Sequence, residues 1–171
     1  MNVYFTSDLH LQHNKIVEFG SRPFETLDEH DSGVIESVAC LPTRSVVFVM
    51  GDFCFAKADH PVVAEWKACT RHIKDKRFIF GNHDEWRPEL YMDLFGSVHG
   101  FLKYKEFWLS HAPIHPAELW GKINIHGHVH KRPHNHEDLQ PPYKKGATHF
   151  NVNWDFWHRP VSLHEIREIL L

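Results

Sequence analysis

Only three cysteines, Cys40, Cys54 and Cys69, occur in 171 residues. An odd number without a C-x-x-C pair is neither a disulfide framework nor a thiolate zinc site, so free thiols in a reducing compartment are expected. No apolar run approaches the roughly 20 residues of a membrane span. Met1 to Thr6 runs straight into strand-like sequence without a basic leader or an apolar signal core, which makes the cytoplasm the expected location. Neither sign of charge dominates: 19 Lys and Arg stand against 22 Asp and Glu, a formal net charge of −3. That leaves no extended electrostatic footprint for nucleic-acid backbone and argues against a processive nuclease. Repeats, low-complexity tracts and interdomain linkers are also lacking. With 42% hydrophobic residues, the chain is expected to form a single domain over residues 1–171, large enough to fold without staples.

What the chain has in excess is histidine, 17 in all. Many, such as His60, His72, His134, His136, His149 and His164, are scattered as surface or loop residues would be. Others fall into a pattern. Five short segments place polar ligand types directly after an apolar run: Asp8-Leu9-His10, Gly51-Asp52, Gly81-Asn82-His83-Asp84, Ser110-His111 and Gly127-His128-Val129-His130. A strand that ends in a polar side chain delivers it to the carboxyl edge of its sheet, where open α/β sheets place their chemistry. Aspartate, asparagine and imidazole together are a suitable donor set for two adjacent divalent cations.

The intervening sequence supports an α/β reading. Asn2–Thr6 and Ser45–Met50 read as strands, the second apolar enough to be covered on both faces. Thr26 and Glu29 form a capping box ahead of Leu27, Val34, Ile35 and Val38 at helical spacing. Asp59 is placed to cap a helix with Pro61 in its first turn and Val62, Val63, Trp66 and Ile73 along its buried stripe. Arg77–Phe80 reads as a strand and Pro88–Phe95 as a short helix. Phe101–Leu109 reads as a hairpin turning at Lys105-Glu106, and Ile123–Ile125 and Thr148–Trp154 as strands. Ser162 and Glu165 cap a last helix. The polar, proline-bearing stretch from Lys131 to Gly146 is a candidate substrate rim.

In order, D-x-H, G-D, G-N-H-D, H and G-H-x-H resemble the signature blocks of the calcineurin-like metallophosphoesterase superfamily, most closely its small bacterial and phage members. The resemblance implies a four-layer sandwich of two facing mixed β-sheets flanked by helices. It also implies that Asp8, His10 and His130 bind one metal, that Asn82, His111 and His128 bind the other, and that Asp52 bridges them. The cofactors would be two divalent transition-metal ions, manganese first, with iron, nickel, cobalt or zinc also suited to an oxygen and imidazole set. The implied reaction is hydrolysis of a phosphodiester, nucleotide-derived or cyclic, or of a phosphomonoester, by a metal-bridging hydroxide. His83 would contact the phosphate and protonate the leaving oxygen, with Asp84 orienting it. Asp84 also reads as a helix cap.

Asn14 and Arg22 follow the first block and are candidate substrate contacts, Arg22 equally a structural ion-pair partner. His126 reads as core or as support for the ligands, and Trp154, Trp157 and His158 as packing. The expected partner is a small phosphate ester. The alternatives are a nuclease of the same superfamily and a non-catalytic metal-binding scaffold for other proteins.

Overall fold

The computed structural model describes residues 2–19, 22–131 and 137–171. Among the described residues, nine strands form two mixed sheets flanked by helices. In the first, β1 (Val3–Thr6), β2 (Val46–Val49), β3 (Asp75–Ile79) and β4 (Ser97–His99) run parallel, and β9 (Val161–Ser162) joins β1 antiparallel. In the second, β6 (Phe107–Leu109), β7 (Ile123–His126) and β8 (His149–Asn151) run parallel, with β5 (Leu102–Tyr104) antiparallel at the edge. The helices are α1 (Ile16–Phe19), α2 (Leu27–Ala39), α3 (Pro61–Cys69), α4 (Pro88–Phe95), α5 (Trp154–Trp157) and α6 (Leu163–Leu170).

The unbroken apolar run of β2 follows from two cores. Val46, Phe48 and the following Met50 pack with Phe5, Phe107, Leu109, Ile125 and Phe150 of both sheets. Val47 and Val49 point the other way, among Val34, Ile35 and Val38 of α2 and Val62, Val63 and Trp66 of α3. Because side chains alternate along a strand, a strand covered on both faces has no position left for a polar residue until it ends. That end is Gly51-Asp52. Among the described residues, no helix is long and apolar enough to cross a membrane.

The capping boxes at Thr26/Glu29 and Ser162/Glu165 are both formed. Other boundaries differ from expectation. His60, not Asp59, caps α3, its ring accepting from the Val62 N–H, and Ile73 lies buried beyond the helix end. The Thr148–Trp154 strand stops at Asn151, because the Asn153 side chain accepts the Asp155 N–H and starts α5. The three-residue β4 is too short to have a legible period. Asp84 is not a helix cap: α4 begins at Pro88 after Arg87. Cys54 is buried, which pushes its thiol up to about 12, while Cys40 and Cys69 are exposed.

His134, His136 and Gly20 lie outside the described residues. Within the expected rim, Asp138 to Gly146 line a groove with Pro113, Ile114 and His149 that includes none of the metal-ligand candidates.

Candidate metal centre

Each ligand candidate sits just past a parallel strand, and the set divides between the sheets. Asp8 and His10 follow β1, Asp52 follows β2 and Asn82 follows β3; His111 follows β6, and His128 and His130 follow β7. The loops approach closely enough to need glycine. A Cβ on Gly51, whose φ is +86°, would lie 2.7 Å from the Gly81 Cα and collide with the His111 ring. One on Gly127 would run into Ser7 and the Asp8 carboxylate. Asp8, His10, Asp52 and His128 themselves hold left-handed backbone, with φ of 56°, 51°, 54° and 66°. Such residues cost of order 1–3 kcal/mol each and persist only where the surroundings impose them, typically at functional sites.

The two aspartates are presented alike, one oxygen tied down and the other left for the centre. Asp8 Oδ2 accepts from the Ser7 hydroxyl at 2.5 Å and the His128 N–H at 3.0 Å. Asp8 Oδ1 is buried without a hydrogen-bond partner, 3.7 Å from His10 Nε2 and 3.4 Å from His130 Nε2. Asp52 Oδ1 accepts the His83 N–H at 3.0 Å. Its Oδ2 lies 3.7 Å from His10 Nε2 and 3.4 Å from His111 Nε2.

The imidazoles are oriented from behind. Since a carbonyl or carboxylate only accepts, His111 donates from Nδ1 to the Met50 carbonyl at 2.8 Å, and His130 donates from Nδ1 to Asp155 Oδ2 at 2.8 Å. Each is left with Nε2 facing the centre. There His10 Nε2 meets His130 Nε2 at 3.2 Å, and Asn82 Oδ1 meets His111 Nε2 at 3.0 Å and His128 Nδ1 at 2.9 Å. Two donor atoms each about 2.1 Å from one cation lie about 3.0 Å apart at a right angle and about 3.4 Å apart at the tetrahedral angle. The 2.9–3.4 Å spacings match such a shell, the two 3.7 Å spacings from His10 are somewhat wider, and the orphaned Asp8 oxygen would gain in it the partner the protein does not supply. Asp8, His10 and His130, and Asp8, Asp52 and His111, each bring ligand atoms close enough to hold an ion.

Charge follows the same division. Burial works against ionising Asp8 and Asp52, yet contact with His10 for Asp8 and with His111 for Asp52 holds both carboxyls below the usual range. Burial also opposes a cationic His111, but Asp52 and Asp8 push it up to about 9. Burial holds His10 and His128 down, towards the neutral imidazole.

The remaining candidates divide. His83 is exposed at the mouth of the centre, its ring 5.2 Å from that of Phe55. Asp84 does not orient it. The Asp84 carboxylate accepts the N–H groups of Gly81, Asp52 and Phe53 at 2.7, 2.8 and 3.0 Å, and so ties the second and third blocks together. Its burial outweighs those bonds and raises its pKa. Arg22 is no substrate clamp: it is buried, bonded to Asp155 and to the carbonyls of Leu9 and Asp8, and its guanidinium holds the first block in place. Asn14 is exposed. His126 is buried, with its pKa pushed down by burial to about 4, and belongs to the core. Trp154 packs on Phe24, and Trp157 on Phe150.

Asp155 was not legible as part of the site. It lies far along the chain, in α5 and just past the stretch that reads as a strand, and its only local signal is the Asn153-Trp154-Asp155 cap. Paired with Arg22 on one oxygen and His130 on the other, it is the outer carboxylate of a carboxylate–histidine arrangement. Asp155→Asn is expected to weaken metal binding about 10- to 100-fold, read by competition with a chelating dye. Unchanged affinity would reduce Asp155 to a partner of Arg22.

No known protein-family model matches the chain. It is 27% identical to the uncharacterized protein MJ1445 of Methanocaldococcus jannaschii over 98% of its own length and 90% of that protein's. It is 28% identical to the gene 66 protein of Mycobacterium phage D29 over 99% of its length and 96% of the relative's. The protein of unknown function AQ665 from Aquifex aeolicus superposes with a TM-score of 0.74 at 22% identity, covering 99% of both chains, a likeness of fold.

Proposed function

We propose that the protein is a dinuclear metal-dependent phosphoesterase of the calcineurin-like type, with the four-layer sandwich of that superfamily. The observation that carries the reading is a continuous run of Asp8 Oδ1, Asp52 Oδ2, Asn82 Oδ1 and four imidazole nitrogens, each 2.9–3.7 Å from its neighbour in the set, with one of the carboxylate oxygens buried without a partner. Asp8, His10 and His130 would hold one cation, Asn82, His111 and His128 the other, and Asp52 both. When bound, such a pair supplies a water nucleophile ionised near neutral pH and neutralises charge on the phosphoryl oxygens. The protein's own groups would do the rest. Arg22, Asp84 and Asp155 fix the loops, and His83, exposed and joined to Asp52 through its N–H, would protonate the leaving oxygen.

Metal-depleted protein reloaded with Mn²⁺, Ni²⁺ or Zn²⁺ is expected to bind two ions per chain and to hydrolyse bis(p-nitrophenyl) phosphate, p-nitrophenyl phosphate or both. Two bound ions without turnover on either ester would favour a binding role.

A further inference from the structure

We propose that Phe55 is the floor of a subsite for a planar aromatic group, so that the esters taken by this centre carry a nucleobase or aryl ring beside the phosphate. The inference rests on the phosphoesterase reading and adds to it the class of substrate.

Phe55 is 40% exposed, yet its position is fixed. Its N–H donates to the Leu11 carbonyl at 2.9 Å, and the neighbouring Cys54 bridges Leu11, so the ring is carried on a backbone pinned to the first ligand block. The ring centroid is 4.2 Å from that of His13, 5.2 Å from His10 and 5.2 Å from His83. It therefore touches both a ligand candidate and the group placed to protonate the leaving oxygen. Among the described residues, no other exposed large apolar side chain has a ring contact with these histidines. An organic group attached to a phosphate in reach of His83 comes within a ring's length of Phe55.

One aromatic ring suits one base. Tracking a single strand takes successive stacking platforms along a basic groove, and the chain carries a net charge of −3. A small ester with one planar ring fits; a polymer does not.

The test measures binding of three stable phosphonates to Mn²⁺-loaded protein by calorimetry: methylphosphonate, phenylphosphonate and a nucleoside 5′-methylenephosphonate. Wild type is expected to hold one or both ring-bearing probes roughly 5- to 100-fold more tightly than methylphosphonate. Preference for the nucleoside probe identifies a base and preference for the phenyl probe an aryl group, and either sustains the subsite. Phe55→Ala should erase the preference while leaving methylphosphonate affinity and Mn²⁺ per chain unchanged. Phe55→Leu, which keeps bulk against His10, should also lose it. Equal binding of all three by wild type overturns the subsite alone, as does a Phe55→Ala variant that weakens methylphosphonate as much as the ring-bearing probes. No binding of methylphosphonate by wild type overturns the phosphoesterase reading, and the subsite with it.

Discussion

Asp52→Asn is expected to empty the centre of both cations. Asp52 Oδ2 reaches towards His10 on one side and His111 on the other, at 3.7 and 3.4 Å, and so belongs to both halves of the donor set. An amide in its place can keep the Oδ1 bond to the His83 N–H, which protects the fold, but it removes the charge that offsets two adjacent cations. Elemental analysis should fall from two ions per chain to none. Turnover should fall by at least about a thousandfold, since the electrostatic stabilisation lost is several kcal/mol. Retention of one tightly held ion would show that Asp52 serves a single cation.

His83→Ala separates the chemistry from the metal. The His83 backbone N–H supports Asp52, but its imidazole is exposed and packs on Phe55, so removing the ring leaves the donor set in place. Metal content should stay at two per chain while kcat on esters with a basic leaving oxygen drops by about 10²–10⁴, the usual worth of general-acid help. The loss should grow with the basicity of the leaving oxygen, small for p-nitrophenyl esters and large for alkyl esters, because a poor leaving group depends most on the proton. A uniform loss across leaving groups would make His83 a phosphate contact only, and loss of metal would make it part of the donor set.

How much of this was legible in the sequence depends on how local the cause is. The strands β1, β2 and β7, the helices opened by Thr26, Pro88 and Ser162, and the Lys105-Glu106 hairpin turn are set by residues a few positions apart. Pattern and capping therefore disclose them. The cap of α3 went to His60 because an imidazole nitrogen can accept the same N–H that a carboxylate would. The ligand candidates were legible because each immediately follows a strand. Their supports were not. Arg22 and Asp155 are 133 residues apart and meet only through the fold, and Asp84 bonds to backbone 31 and 32 residues away. Nothing in the sequence around Arg22 says whether a guanidinium turns outward to a phosphate or inward to a buried carboxylate.

The division of the ligand candidates between two sheets makes the site a clasp on the seam of the molecule. A cation gathered by Asp8 and His130, or by Asp52 and His111, would be gripped from both sides, so that pulling the sheets apart and releasing the ion would become one event. Occupancy then adds directly to the free energy of unfolding. A chelator is then expected to act on the metal-loaded protein as a selective denaturant, loosening the join between its halves before the hydrogen-bonded interior of either sheet.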